Sequence, residues 1–234
     1  MRRLPARYEH EWGTEFWEFV NRALEPGMDV LDVGAGRRPT ISPDDRPEGT
    51  HYVGFDLSGE ELETAPPGSY DELVVADAQT PTSGLADRFD LIVAWQVLEH
   101  VRDLPSAAAT FLQYLGEGGR FVACLSGRNA VFAVGNRILP GSAGRQVVSR
   151  LMRRPIETVF PAYYDHCTER GLREVFSGWD DVHVLPLWRG ADYFARFPRL
   201  RSMYVRYEDW AIRRGLSNLA THYVVAARKG HHDG

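Results

Sequence analysis

A short turn with two glycines follows an apolar run near the start of the chain. Residues 30–39 read VLDVGAGRRP, with Asp32 inside the run and Gly34, Ala35 and Gly36 in the turn. Because glycine has no Cβ, the backbone at such a turn can approach a ligand closely, and the pattern favours a cofactor contact. A G-x-G turn is also an ordinary tight connection, so the turn alone leaves both interpretations open.

The residues after the turn bear on which cofactor is expected. Pro39 stands where a dinucleotide-binding fingerprint would have a third glycine, and residues 37–50 contain three prolines. This segment predicts at most a turn or two of helix, so no good helix N-terminus is available for a pyrophosphate. The pattern disfavours an NAD-dependent Rossmann enzyme and favours a cofactor without phosphates.

Two further acids end the next two apolar runs. Asp56 closes VGFD and can accept hydrogen bonds from a ribose diol, whereas Asp77 closes VVAD and can accept from an adenine amino group. Ala78 would offer a backbone donor beside Asp77. Each aspartate alone could also be an ordinary turn or cap residue. Together with Asp32 they predict a row of acids at the carboxyl edge of a parallel sheet, where open α/β folds bind ligands.

Apolar runs separated by breakers predict the strands that position these acids. The first five are nearly continuous in apolar residues, which is typical of parallel strands covered on both faces. An amphipathic helix is expected over 11–25, and another over 104–115 with Asp103 as its N-cap. The alternation predicts a doubly wound α/β fold. The seven runs are residues 29–33, 51–55, 73–76, 89–94, 119–125, 182–188 and 221–228.

We interpret residues 1–234 as a single domain with insertions at about 126–179 and 192–217 that form a helical lid. Within the first insertion, residues 145–154 predict a short basic helix, and Thr168 is the expected N-cap of a helix over 169–176.

The fourth run continues as FDLIVAWQVLEHV, and from here a family resemblance is evident. DVGAG, FDLS, ADA and FDLIVAWQVLEHV resemble, in order and spacing, the class I methyltransferases of the type 11-like group, which use S-adenosylmethionine (SAM). The resemblance covers about residues 28–125. It implies a Rossmann-like, seven-stranded, mostly parallel sheet with an antiparallel last strand.

The resemblance also implies roles at the cofactor site. The two glycines would approach the methionine part, Asp32 would organise the loop near the methionine amino group, and Trp95 and Gln96 would lie beneath the sulfonium. Whether Arg37 meets the cofactor carboxylate is left open. The implied cofactor-binding set is Asp32, Gly34, Ala35, Gly36, Arg37, Asp56, Leu57, Asp77, Ala78, Trp95 and Gln96.

Aromatic and titratable groups cluster in the segment FPAYYDHCT, residues 160–168. Tyr163 and Tyr164 could position an acceptor, and His166, with Tyr164, is the candidate catalytic group that would remove its proton. An aromatic plug beside a helix cap explains the same residues equally well. His100 is a candidate substrate contact, although a local packing role is favoured for it.

Composition and charge bear on the expected partners and location of the protein. The net charge of −5 disfavours nucleic acid as a partner, and two cysteines with no apolar run long enough to span a bilayer favour a cytoplasmic protein. No metal site is predicted, and a monomer or homodimer is expected. Two basic segments would meet an anionic acceptor or the membrane surface, although solvated lid helices are the favoured explanation. These are Arg145, Arg150, Arg153 and Arg154, and Arg196, Arg199, Arg201, Arg206, Arg213 and Arg214.

The sequence therefore predicts a SAM-dependent methyltransferase. It would transfer a methyl group to an oxygen, nitrogen or carbon atom of a small-molecule or lipid-like acceptor and release S-adenosylhomocysteine (SAH). The alternatives are a non-catalytic SAM- or SAH-binding partner protein and, less favoured, an NAD-dependent enzyme.

Overall fold

A seven-stranded sheet organises the chain in the computed structural model, which describes residues 4–130, 133–134 and 161–230. The strand order is β3-β2-β1-β4-β5-β7-β6. The first five strands pair in parallel, and β7 lies antiparallel between β5 and β6. The strands are β1 Asp29–Val33, β2 His51–Asp56, β3 Glu72–Val75, β4 Phe89–Trp95, β5 Leu115–Ser126, β6 Asp180–Leu187 and β7 His222–Arg228. The predicted fold class and antiparallel last strand are confirmed.

Five α-helices in the described residues accompany the sheet. They are α1 Thr14–Ala23, α2 Gly59–Glu63, α3 Leu104–Tyr114, α4 Glu169–Val175 and α5 Pro198–Arg213. The predicted caps are present, since Asp103 accepts from Ser106 N and Thr168 accepts from Gly171 N. The segment 192–217, predicted to be an insertion, contains α5. The basic helix expected over 145–154, with Arg145, Arg150, Arg153 and Arg154, lies outside the described residues.

The core is built on both faces of the sheet, because successive strand residues point to opposite sides. Leu31, Ile92 and Phe121 face α3 and α4, whereas Val30 and Leu91 face α1. All five are fully buried, which explains the nearly continuous apolar runs. β3 departs from this expectation. It is one of the two edge strands, and alternate residues, Leu73 and Val75, are exposed.

Candidate cofactor and acceptor site

The glycine turn leaves β1 and packs directly under the segment that follows β4. Gly34 N donates to Phe55 O at 2.8 Å, which joins the turn to β2. Gly34 has a φ of +70°, and a Cβ placed on it would lie 2.4 Å from Cγ2 of Val97. Glycine is therefore required here by close packing as well as by backbone conformation.

Asp56 links the end of β2 to the same turn. Its Oδ2 accepts from Gly36 N at 3.0 Å, and its Oδ1 accepts from Ser58 N at 2.9 Å. The carboxylate is thereby fixed at the carboxyl edge of the sheet. Leu57, the next residue, is 73% exposed and presents an apolar surface beside this carboxylate.

Asp32 is buried beneath the loop and does not reach the surface. Its carboxylate accepts from Thr40 N at 2.6 Å, from Thr40 Oγ1 at 2.7 Å and from the Tyr52 hydroxyl at 2.8 Å. Burial raises the pKa of Asp32 to about 6, although these hydrogen bonds oppose the shift. Asp32 thus holds the loop in place, and its contact with a cofactor amino group stays a prediction.

The segment between β1 and β2 is held by side chains, since its helical content is the short 3₁₀ turn Pro43–Asp45. The Arg46 guanidinium stacks on the ring of Tyr52 at 3.6 Å and donates to Ile41 O at 2.8 Å. The Tyr52 hydroxyl also accepts from Ile41 N. The predicted scarcity of helix in this crossover is confirmed, and a buried polar network takes the place of a helix.

Arg37 points away from the glycine turn toward α2. Its Nε and Nη2 donate to the two carboxylate oxygens of Glu61 at 2.8 and 2.5 Å. This hydrogen-bonded pair lowers the pKa of Glu61. A contact between Arg37 and a cofactor carboxylate stays an open prediction.

Asp77 and Ala78 follow β3 at the same edge, because β3 pairs in parallel with β2 and Val75 lies opposite Asp56. Asp77 is exposed, and its Oδ1 accepts from Gln79 N at 2.9 Å. Gln79 Oε1 in turn accepts from the backbone amide of Asp103 at the start of α3. The structure therefore brings Asp56 and Asp77 to adjacent strand ends.

Trp95 and Gln96 end β4 in different surroundings. The Trp95 ring packs on the α1 side against Phe16, with ring centroids 4.8 Å apart. Gln96 turns the chain with a φ of +56°. Its backbone N–H donates to Cys124 O at 2.7 Å, and its side-chain Oε1 accepts from Ser126 Oγ at 2.9 Å. Gln96 is thereby fixed between the ends of β4 and β5.

The predicted acceptor segment docks onto the turn after β4. Tyr163 N and Tyr164 N both donate to Glu99 O, at 2.9 and 3.1 Å, and His100 Nδ1 lies 2.8 Å from Pro161 O. These hydrogen bonds hold the candidate acceptor residues His100, Tyr163 and Tyr164 together beside the end of β4, and His166 follows Tyr164 by two residues.

Exposure separates the members of this group. Tyr163 is 43% exposed, whereas Tyr164 is 3% exposed and belongs to the main core. Tyr164 and His166 both have positive φ values, +54° and +51°, and such backbone strain concentrates at functional sites. His166 Nδ1 lies 2.9 Å from Asp165 Oδ1 without hydrogen-bond alignment. Tyr163 and His166 are therefore the accessible candidates, while Tyr164 acts as a packing element in this structure.

Glu99 lies against the candidate acceptor residues, although the sequence pattern drew attention to its neighbour His100 instead. Its side chain is buried, and its Oε1 accepts from Ser126 N at 3.3 Å. Its Oε2 has no hydrogen-bond partner among the described residues. Burial raises the pKa of Glu99. The adjacent Glu99 and His100 at the end of the fourth apolar run were the sequence signal that could have identified Glu99.

A second group was missed because its members are far apart in the sequence. His222 opens β7 opposite Ser126, its Nε2 lies 3.1 Å from the Tyr193 hydroxyl, and its ring centroid is 4.4 Å from that of Trp12. Burial lowers the pKa of His222 to about 3, so the imidazole is neutral at physiological pH. These contacts bring the start of the chain and the second insertion to the end of β5.

The N-terminal segment is fastened to the second insertion by Glu208 of α5, a fully buried carboxylate. It accepts from the Tyr8 hydroxyl, from Arg7 Nη2 at 3.2 Å and from Gly190 N at 2.8 Å. Ala191 N donates to the Tyr8 oxygen at 3.0 Å. We name these five residues the Glu208 clasp. It positions Trp12 and Tyr193 by fixing the backbone near both.

The edge of the sheet suits SAM better than a dinucleotide. The first crossover offers no α-helix, and α2 begins with Ser58 capping Glu61 N and with Glu60 and Glu61 in its first turn. Negative side chains at that position oppose a phosphate. Asp56 beside the apolar surface of Leu57 matches a nucleoside without phosphates. Within the described part of the chain, no cluster of three or more His, Cys, Asp or Glu is arranged for a metal ion.

Comparison with known proteins gives a family match. The model of the methyltransferase domain family matches residues 6–173. Phosphoethanolamine N-methyltransferase 1 of Zea mays is 36% identical over 115 residues, which cover 47% of this chain and 22% of that enzyme. The chain thus spans about a fifth of the length of this relative.

Solved structures share the fold. Phosphoethanolamine N-methyltransferase 2 of Haemonchus contortus, in complex with SAM, aligns with a TM-score of 0.56 and 14% identity over 94% of this chain and 53% of that one. Geranyl diphosphate C-methyltransferase of Streptomyces coelicolor, in complex with SAH, aligns with a TM-score of 0.58 and 13% identity over 93% of this chain and 80% of that one. At these identities the likeness concerns the fold.

Proposed function

Because this chain belongs to the methyltransferase domain family, whose cofactor is SAM, we propose that it transfers the SAM methyl group to an oxygen, nitrogen or carbon atom of a small-molecule or lipid-like acceptor. The observation that carries the proposal is the hydrogen bond from Gly36 N to Asp56, which joins the glycine turn to the second strand end. The docked segment 161–168 lies beside this edge, at the turn after β4.

We assign the cofactor to the edge formed by the glycine turn and the ends of β2, β3 and β4. Asp56 would accept from the ribose hydroxyls, since each of its oxygens makes one backbone hydrogen bond and retains acceptor capacity. Leu57 would cover the nucleoside, and Asp77 with Ala78 would contact the adenine. Gln96 would support the methionine part from below.

SAM supplies a reactive methyl group on a positively charged sulfonium. The residues of this chain would align the acceptor and exclude water, an effect that can contribute several kcal/mol. Tyr163 and His166 are proposed to face the acceptor, with His166 as the group that receives its proton. If the His166→Ala variant keeps the full kcat at every pH between 6 and 9, this role is wrong.

The names of the relatives support a small acceptor. They are an N-methyltransferase of phosphoethanolamine and a C-methyltransferase of geranyl diphosphate, so this fold serves both nitrogen and carbon acceptors. For this chain we propose a cytoplasmic reaction, in agreement with the two free cysteines, Cys124 and Cys167. A monomer or homodimer would suffice for the proposed site.

Calorimetric titration with SAM and SAH tests the cofactor site. We expect Asp56→Ala to weaken SAM binding by roughly ten- to a hundredfold, because hydrogen bonds to a charged group contribute about 1.5–3 kcal/mol. Asp44→Ala is the matched control, since Asp44 is an exposed acid in the 3₁₀ turn between β1 and β2. Equal affinities for the wild type and Asp56→Ala would contradict the site.

The acceptor is tested with SAM that carries a labelled methyl group. A fractionated metabolite and lipid extract is incubated with the wild type and with Asp56→Ala. We expect one fraction to gain label with the wild type and far less with the variant. SAM binding without label in any fraction would favour a non-catalytic SAM-binding protein.

A further inference from the structure

The outer side of α5 carries an exposed apolar row that no described residue covers. Leu200, Met203, Tyr207 and Trp210 recur at spacings of three and four, so they lie on one face of the helix. Met203 is 62% exposed, and Leu200 and Trp210 are more than 40% exposed. Phe197 extends the row before the first turn. Large apolar side chains grouped in this way mark interaction surfaces.

A row of arginines borders this apolar row along one side. Arg199, Arg206 and Arg213 recur every seven residues, which is close to two helical turns, and all three are exposed. None of them forms an ion pair with a residue that the structure describes. They differ in this from Arg201 on the inner side, which pairs with Asp192 at 3.0 Å.

Acidic residues do not balance this row. The two acids of α5 are Glu208, buried in the Glu208 clasp, and Asp209, which pairs with Arg7 at 2.8 Å. The positive row therefore stands out locally on a chain whose net charge is −5. An anionic partner is favoured by this surface, whereas a second copy would bring two unpaired arginine rows together.

We propose that this face of α5 binds the surface of an anionic lipid membrane. The apolar row would enter the boundary between headgroups and acyl chains, while the arginines would remain at the level of the anionic headgroups. No helix of the described residues is long and apolar enough to cross a membrane, so the contact would lie in the plane of the surface. The inference is independent of methyl transfer.

The place of α5 in the fold connects this surface to the acceptor side. The 3₁₀ turn Gly190–Phe194 precedes α5, and its Tyr193 contacts His222, which opens β7 beside the end of β5. Glu208 on the inner side of the same helix holds the N-terminal segment. Membrane docking through α5 would thus set one insertion against the lipid surface while its other side stays fixed to the sheet edge.

Vesicle sedimentation tests the proposal with the full chain. The vesicles contain phosphatidylcholine alone or phosphatidylcholine with 30% phosphatidylglycerol. We expect binding to the anionic vesicles that weakens at high salt and is much lower on neutral vesicles. The triple variant R199Q/R206Q/R213Q should bind at least about tenfold more weakly, since each basic residue near such a surface contributes about one kcal/mol.

Two further variants complete the test. R22Q/R170Q/R173Q removes three exposed arginines from α1 and α4 and should bind as the wild type does. L200Q/M203Q keeps every charge and should also lose binding, because the apolar row would no longer enter the lipid. Thermal unfolding verifies that each variant is folded. The proposal would be overturned if the wild type did not bind anionic vesicles, or if the two triple arginine variants lost vesicle binding to the same extent. It would also be overturned if the wild type formed a dimer that L200Q/M203Q dissociates.

Discussion

The two glycines of the turn after β1 are constrained by different neighbours. Both have positive φ values, +70° at Gly34 and +51° at Gly36, but only Gly34 packs tightly. A Cβ at Gly34 would lie 2.4 Å from Val97, whereas a Cβ at Gly36 would lie 3.8 Å from its nearest neighbour, Asp56. Gly34 therefore allows the turn after β1 to pack against Val97, which follows β4. At Gly36 there is still space for a side-chain atom.

We expect Gly34→Ala to destabilise the protein more than Gly36→Ala. Both variants incur the cost of a left-handed conformation, about 1–2 kcal/mol, and Gly34→Ala adds overpacking of about 1–3 kcal/mol. Urea denaturation of the two variants and the wild type measures the difference. Equal losses would show that Val97 moves away freely and that the close packing is unimportant.

The buried, neutral His222 should lower the stability of the folded protein at acidic pH. Its pKa is lowered to about 3, so the folded state keeps it neutral while the unfolded chain takes up a proton below about 6.5. Its contribution to stability is therefore present above pH 6.5 and is lost as the pH falls toward 3. At pH 5 the loss would be about 2 kcal/mol.

The variant His222→Gln should show a weaker fall of the unfolding free energy between pH 7 and pH 5. The variant is compared with the wild type because Asp32 changes the unfolding free energy with pH in the opposite direction. Its raised pKa of about 6 means that its contribution decreases as the pH rises from about 4 through 6. Parallel pH profiles of the two proteins would contradict a neutral, buried His222.

At the scale of elements, the strands and caps could be predicted because their signals are local. Seven apolar runs became the seven strands, and Asp103 and Thr168 cap the predicted helices. Contacts between distant segments leave no such signal. Tyr8 and Glu208 are 200 residues apart, so nothing in the sequence near either residue reveals the Glu208 clasp.

In the segment between β1 and β2, too, the sequence predicts the local structure but not the contacts that hold it. The prolines of residues 37–50 correctly predicted little helix, but not the buried Asp32–Tyr52 network that replaces it. Alternation at β3 similarly depends on its place at the edge of the sheet, which the order of strands in the sequence does not give. Local pattern predicted the elements, and tertiary contacts decided how the site is held.

The Glu208 clasp predicts a local effect of Tyr8→Phe. Removing the hydroxyl takes one donor from a buried carboxylate and one acceptor from Ala191 N, which should cost about 1–3 kcal/mol. Faster hydrogen exchange at Ala191 and faster proteolysis before α1 would accompany the loss. Tyr163→Phe serves as the control for stability, since the Tyr163 side chain is exposed. Unchanged exchange at Ala191 would refute the clasp.

At the scale of the whole molecule, the family resemblance seen in the first half of the chain is confirmed by the match over residues 6–173. The residues around the candidate site come from both ends of the sequence. Segments near residues 34, 56, 77 and 96 form the expected cofactor side, while Trp12, Tyr193 and His222 come from the N-terminal segment, the second insertion and the last strand.

The proposed SAM site lies at the carboxyl edge of β1, β2, β3 and β4. Hydrogen–deuterium exchange of the full chain with and without saturating SAH tests it most directly. At a ligand concentration near 100 Kd, local opening that releases the ligand should slow by up to about a hundredfold. We predict protection at 34–38, 56–58 and 77–79 and little change at 182–187 on the far edge of the sheet. Unchanged exchange at the first three segments, with SAH bound, would contradict the account.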